Sequence, residues 1–332
     1  MKVLFQHQGL ITDTYRNFFR TNLPEDMEIV FPDSRDPEIL LQHAPDTDIF
    51  VAYTLTPEFL SKATKLKHIQ IPWTGFNSMK TDLLADYPNV SVSNSHSNSL
   101  SIAEHAVALM FSAAKLIVYR DSFMRKGDWG PRYQDENSFW LTGRKLGIVG
   151  YGAIGKKVAK MLKFGFDMEV LAIKRNPSAE KDEYCAFLGG PQDLEYVLKE
   201  SDFLLVAMPL TSETEGMIGA KELELMKSTA VVVNIARGAI IDEGALYTSL
   251  RDHKIGAAGI DVWYNYPEGP GPEYKVDQNQ PFEELDNIVM SPHSAFKVRD
   301  RVEIFAQDIL ENIKHVYNNE EPKNQVNLRL GY

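Results

Sequence analysis

Leu146-Gly147-Ile148-Val149 is an apolar run of strand length that leads directly into Gly150-Tyr151-Gly152-Ala153-Ile154-Gly155. Ile154, Val158, Ala159 and Leu162 then recur at helical spacing. A G-x-G-x-x-G hexapeptide alone is a weak signal, but between a buried strand and an amphipathic helix it specifies a tight strand-to-helix turn. The first glycine makes the turn, the second lets the backbone approach a pyrophosphate, and the third lets the helix pack closely. The helix start then presents its positive end to phosphate. These residues predict a Rossmann-type dinucleotide site at Gly150, Gly152, Ala153, Ile154 and Gly155.

The rest of the chain supplies the sheet such a loop requires. Strand candidates continue at Met168–Ile173, Phe203–Ala207, Ala230–Ile235, Ala257–Ile260 and Ile288–Met290, giving a doubly wound sheet between about 101 and 294. One long helix is expected from about Ser101 to Lys126, with Ala103, Ala106, Val107, Met110, Ala113, Ala114 and Ile117 on one face. The irregular stretch Gly127 to Gly143 is expected to pack on something through Trp129 and Trp140. Before the helix, Val3–Phe5, Met27–Phe31, Ile49–Ala52, His68–Ile71 and Val90–Val92 alternate with amphipathic stretches, which implies a second parallel sheet. A last helical segment, about Phe296 to Tyr317, would be orphaned unless that first sheet took it back. The expected fold is therefore α/β: a Rossmann dinucleotide-binding domain, 101–294, inserted in a discontinuous flavodoxin-like substrate-binding domain, 1–100 plus 295–332.

Composition narrows the partners. A formal charge of −11 over 332 residues repels nucleic acid and anionic membrane surfaces, and no local basic patch compensates. The apolar start at Met1 is only strand-length, no run reaches the roughly 20 residues of a membrane span, and a cytoplasmic location is expected. The single cysteine, Cys185, reads as a small core residue. No His, Cys or carboxylate cluster has metal-ligand spacing, so no metal is expected.

The strand after the glycine loop separates the two nicotinamide dinucleotides. A carboxylate at its tip would bind the adenine ribose 2′-OH and repel a 2′-phosphate. Here Val170-Leu171-Ala172-Ile173 runs into Lys174-Arg175-Asn176-Pro177. Two cations and no acid favour NADP, with NAD possible; solvated surface cations are the alternative reading of Lys174 and Arg175.

Several further blocks carry a resemblance to a known family: Ile102-Ala103-Glu104-His105; Leu141 to Gly150; Met208-Pro209-Leu210-Thr211 with Thr214, Gly216, Met217, Ile218 and Gly219; Asn234-Ile235-Ala236-Arg237-Gly238; Gly259-Ile260-Asp261-Val262; and Ser291-Pro292-His293. In this order and at these separations they resemble the D-isomer-specific 2-hydroxyacid dehydrogenases, a family that includes phosphoglycerate, glycerate/hydroxypyruvate, D-lactate, formate and phosphite dehydrogenases. The resemblance implies a two-domain fold with a cleft between the domains and a homodimer formed mainly through the dinucleotide domain. It also implies hydride transfer between a nicotinamide and a 2-oxo or D-2-hydroxy acid. By the same resemblance Arg237 is the substrate-binding cation, His293 the acid/base, and Asp261 the holder of the nicotinamide carboxamide. Pro209, Thr214, Ile235 and Ala236 line the cofactor, and Trp73-Thr74-Gly75 belongs to the turn that holds the substrate carboxylate. The chemistry agrees: reducing a 2-oxo acid builds charge on the carbonyl oxygen, which calls for a permanent cation and a proton donor titrating near neutrality.

The chain departs from the family at one point. Five residues beyond Asp261, where the family's glutamate partners the histidine, stands Tyr266; Glu268 is the alternative if a local insertion shifts the register, and Glu268 to Glu284 is longer than usual. Replacement by Tyr266 is favoured because Pro267 follows it. Tyr53, Trp73, Phe76, Trp263, Tyr264, Tyr266 and Phe296 either make the cleft aromatic or serve as core and interface residues. The leading expectation is an NADPH-preferring reductase of a small 2-oxo acid such as glyoxylate, hydroxypyruvate or a larger aromatic or branched analogue. A dehydrogenase of another small anion, and a dinucleotide-sensing protein of low turnover, are the alternatives.

Overall fold

The computed structural model describes residues 1–6, 11–34, 36–75, 79, 81–134, 138–177, 182–269, 278–299 and 301–328. Phe76, and much of the stretch between Glu268 and Glu284, fall outside them. The chain divides into two compact units, Met1–Ser99 with Lys297–Tyr332, and Leu100–Phe296.

The first unit is a five-stranded parallel sheet of β1 (Lys2–Phe5), β2 (Glu28–Val30), β3 (Ile49–Val51), β4 (His68–Gln70) and β5 (Ser91–Ser93), in the order β2-β1-β3-β4-β5. This is the flavodoxin-like order. Its helices begin where the sequence supplies caps: Thr12 Oγ1 accepts from the Tyr15 amide, and Thr56, ahead of Pro57, accepts from that of Phe59. The closing helix Arg301–Tyr317 buries Ala306, Ile309 and Ile313 with Val3, Phe5 and Phe19. It starts later than the pattern from Phe296 suggested.

The second unit carries β6 (Lys145–Val149), β7 (Glu169–Ile173), β8 (Phe187–Gly189), β9 (Phe203–Val206), β10 (Val231–Asn234), β11 (Ala257–Ile260) and β12 (Ile288–Met290), in the order β12-β11-β10-β9-β6-β7-β8, all parallel. Counted from β6 this is the Rossmann order 3-2-1-4-5-6 with a seventh strand added, and its topological switch point lies between β6 and β9. Residues such as Leu204, Leu205, Val232 and Val233 are fully buried because helices cover both faces.

The single long helix expected from about Ser101 to Lys126 is two helices, Ser99–Ala114 and Ile117–Met124, bent by 64°. Leu116 breaks it by adopting a left-handed backbone at φ 54°, a conformation that closes a helix without glycine or proline to announce it. Among the described residues no single helix is long and apolar enough to cross a membrane.

Candidate active site

The glycine loop is built as its spacing required. Gly150 has φ +107°, and a Cβ there would lie 2.6 Å from the backbone of Ala207; only glycine fits. A Cβ on Gly155 would meet the Gly150 carbonyl oxygen at 2.6 Å, so the third glycine serves close helix packing. Gly152, which caps the helix Ala153–Phe166, is different: a Cβ there would meet nothing within 4 Å. The open space beside Gly152, ahead of the first-turn amides of Ala153, Ile154 and Gly155, fits a dinucleotide pyrophosphate.

Lys174 is exposed just past β7, whereas Arg175 is half-buried and its Nη2 lies 2.5 Å from Glu213 Oε2. Glu213 belongs to the loop after β9, which also contains Pro209 and Thr214. The Thr214 hydroxyl donates to the Pro209 carbonyl at 2.8 Å and accepts from the Thr211 amide at 2.8 Å, so this side chain shapes the loop from within.

At the end of β10, Ile235 and Ala236 are buried and Arg237 is delivered by a turn that Asn234 braces. Asn234 Oδ1 accepts from the Ala236 amide at 3.0 Å and its Nδ2 donates to the Arg237 carbonyl at 3.0 Å. Gly238 is needed because a Cβ would lie 2.5 Å from the Trp263 carbonyl oxygen. That approach brings Trp263 to Tyr266 beside Arg237. The guanidinium donates to the Ala236 carbonyl at 2.6 Å and forms no ion pair among the described residues. Burial lowers its pKa from the usual value, although it stays a cation.

His293 is held in a left-handed backbone at φ 51°, a strained conformation for a non-glycine residue. Asp261 supplies the clamp. Its Oδ1 accepts from the Ser291 hydroxyl at 2.5 Å and the Ser294 amide at 2.9 Å, and its Oδ2 accepts from the Ala295 amide at 3.2 Å. His105 joins through Nε2, 3.0 Å from Ser291 Oγ and 3.4 Å from Asp261 Oδ1. Burial alone would raise the Asp261 pKa, but the hydrogen bonds from His105, Ser291 and the two amides hold it below the usual carboxylate range. The Asp261 carboxylate ties both residues after His293 to the end of β11. Asn234, Ser291 and His105 escaped sequence reasoning as positioning residues. Each lay inside a quoted motif, but nothing in a motif tells which member braces another.

The His293 ring has aromatic neighbours. Tyr266 lies 5.5 Å away between centroids, tilted by 54°, and Phe296 lies 6.3 Å away edge-on. The Tyr266 hydroxyl accepts from the Trp263 amide at 3.0 Å. Glu268 is exposed and forms no ion pair with His293. Burial, and after it the charge of Arg237, hold the His293 pKa below the ordinary value, only partly opposed by Asp261. Of the other aromatics, Tyr264 turns into the core, stacked over Phe282 with its hydroxyl donating to the Ile241 carbonyl at 2.8 Å. Trp263 donates from Nε1 to the Ser291 carbonyl at 2.8 Å.

In the first unit, Tyr53 and Trp73 pack with ring centroids 5.6 Å apart. Thr74 donates its hydroxyl to Asn98 Oδ1 at 2.7 Å, and Asn94 Nδ2 donates to the Thr74 carbonyl at 2.8 Å. The Thr74-Gly75 turn is thus held by two buried asparagines that sequence reasoning passed over.

Comparison with known proteins bears on this geometry. A family model described as D-isomer specific 2-hydroxyacid dehydrogenase, NAD binding domain, matches residues 107–295. The chain is 30% identical to a glycerate dehydrogenase of Methylorubrum extorquens over 94% of this chain and 95% of that one. It is 32% identical to a glyoxylate reductase of Pyrococcus furiosus over 92% and 90% of the two chains. Among solved structures, an acyclic imino acid reductase in complex with NADPH and D-Arg superposes with a TM-score of 0.78 at 26% identity, covering 98% of this chain and 100% of that one. Likeness at this level, sustained from one end of the chain to the other, goes beyond a shared architecture, and the chain belongs to the D-isomer-specific 2-hydroxyacid dehydrogenase family.

Proposed function

We propose that this nicotinamide-dependent dehydrogenase reduces a small 2-oxo acid to the D-2-hydroxy acid and prefers NADPH to NADH. The observation that carries the reading is the pair Arg237 and His293, both half-buried and close enough for the guanidinium charge to act on the imidazole, with no ion pair to a carboxylate at either among the described residues. A guanidinium so placed is available to a substrate's carboxylate and carbonyl oxygen, which it matches as a planar fork. The bound nicotinamide supplies the hydride to the carbonyl carbon. His293 as imidazolium gives its proton to the carbonyl oxygen, and as neutral imidazole takes it back in the reverse direction. Asp261 braces the backbone after His293 and Asn234 the turn that carries Arg237, and the turn at Trp73, Thr74 and Gly75 is assigned to the substrate carboxylate. Lys174 and Arg175 are assigned to the 2′-phosphate. Leu100–Phe296 is the dinucleotide-binding domain and the remainder the substrate-binding domain. A cytoplasmic homodimer goes with this reading.

Tyr266 favours a second reading. An imine conjugated to a carboxylate can carry its own proton, so it needs no carboxylate to keep His293 cationic, and the superposable imino acid reductase shows that such chemistry occurs on this fold. The test is a spectrophotometric panel of 2-oxo acids, each with and without amines, with NADPH and NADH. Turnover of a 2-oxo acid alone is expected, and His293→Ala should lower it by about 10²- to 10⁴-fold while nucleotide binding persists. Turnover only with an amine present would replace the first reading by the second. Nucleotide binding without any turnover would leave the dinucleotide-sensing alternative.

A further inference from the structure

The tip of β7 lacks the acid that would mark an NAD site, but the fold brings one from elsewhere. Strand β6 lies between β7 and β9, so the 2.5 Å ion pair from Arg175, after β7, to Glu213, after β9, spans the carboxyl end of β6, where the glycine loop turns. The loop that carries Glu213 leaves β9 against Gly150, whose Cβ would strike Ala207 and Met208. It is held by the Thr214 hydroxyl on Pro209 and Thr211, and the Glu213 amide itself lies 3.3 Å from Thr211 Oγ1. The backbone that carries this carboxylate is therefore braced, and the carboxylate pairs with one of the two cations assigned to a 2′-phosphate.

We infer that Glu213 is a specificity-determining residue that restrains NADPH preference by occupying Arg175 until a 2′-phosphate displaces it. This rests on the reading of Lys174 and Arg175 given above. A phosphate monoester carries close to two negative charges at neutral pH. It must take Arg175 from Glu213 and then remain near that carboxylate. The ribose of NADH carries a neutral hydroxyl at the same place and demands no exchange, so the pair persists. Because Glu213 is largely exposed, at 73%, the pair is solvent-screened and the effect is modest.

The test titrates NADPH and NADH by nicotinamide fluorescence against the native chain, Glu213→Gln, Arg175→Ala and the double variant, at low and high salt. Glu213→Gln should tighten NADPH about two- to fivefold and leave NADH within about 1.5-fold. The gain should shrink in the Arg175→Ala background and at high salt. An unchanged or weakened NADPH affinity in Glu213→Gln, with the melting temperature preserved, would overturn the inference. If the native chain binds both nucleotides equally and Glu213→Gln still tightens NADPH alone, the inference stands and the stated NADPH preference fails. Binding of neither nucleotide by the native chain would overturn the cofactor assignment and the inference together.

Discussion

His293, the proposed acid/base, has neighbours that differ in kind. Burial and Arg237 push its pKa down, and the residue beside its ring, Tyr266, is a phenol that offers no charge in return. With His293 as the proposed proton donor, reduction requires its imidazolium, and the upper limb of the reductive kcat/KM profile should then fall at lower pH than a carboxylate partner would allow. Tyr266→Glu should raise the His293 pKa and move that limb towards alkaline pH, by about one unit if the new carboxylate reaches the ring. Paired pH–rate profiles check this; an unmoved limb would exclude position 266 as the histidine's partner. Arg237 and His293 were legible in the sequence because dense motifs surround them. The Arg175–Glu213 pair was not, since 38 residues separate its members and only the sheet order brings them together.

Elements show the same division between local signal and tertiary decision. Strand β8 went unread because Phe187-Leu188-Gly189 is three residues long, ends in glycine and lies at the sheet edge. The bend at Leu116 has no breaker residue to announce it. The glycine loop was fully legible, and its members have separable jobs. Gly152→Ala should leave the fold intact, since its Cβ enters open space, and weaken dinucleotide binding tenfold or more. Gly150→Ala should instead destabilise the unit by about 2 kcal/mol or more through backbone collision at positive φ. Thermal melts combined with nucleotide titration distinguish the two. Strand β4 carries a different liability: His68 is fully buried, with Ser91 Oγ at 2.9 Å from Nδ1, and burial pushes its pKa down to about 4. The unfolded chain binds that proton near 6.5, so the stabilisation is complete above pH 6.5 and drains as pH falls to 4. The loss is on the order of 3 kcal/mol. In His68→Gln, urea midpoints measured between these pH values should fall less steeply than in the native chain.

At the scale of the whole molecule, the second unit carries several large apolar side chains in the open. Ile117, Val118, Trp129, Tyr133, Trp140 and Phe164 are all exposed, Trp140 at 68% with Lys115 Nζ 5.9 Å from its ring centroid. Exposed aromatic residues in such number are what the proposed homodimer would cover. Light scattering at micromolar concentration should therefore return twice the 37.6 kDa of one chain, with two-fold symmetry the expected arrangement. Trp129→Ala combined with Trp140→Ala should shift the equilibrium towards monomer. A monomer mass for the native chain would remove this reading.

The closing helix Arg301–Tyr317 supplies Ala306, Ile309, Leu310 and Ile313 to the cluster that also contains Val3, Phe5, Phe19 and Phe31. On the ribosome this imposes an unusual timetable. The contiguous second unit can condense as soon as Phe296 has emerged, whereas the strands that precede it must wait for the helix Arg301–Tyr317 that follows it. At about 5–20 residues per second the wait from Phe31 to Ala306 lasts roughly 14 to 55 s, with a phenylalanine-rich face uncovered throughout. Nascent chains stalled after residue 296 should therefore yield a protease-resistant core beginning near residue 100, with the preceding segment digested, and full-length release should protect both. A stalled chain already resistant at its amino-terminal strands would show that the first sheet consolidates without its last helix.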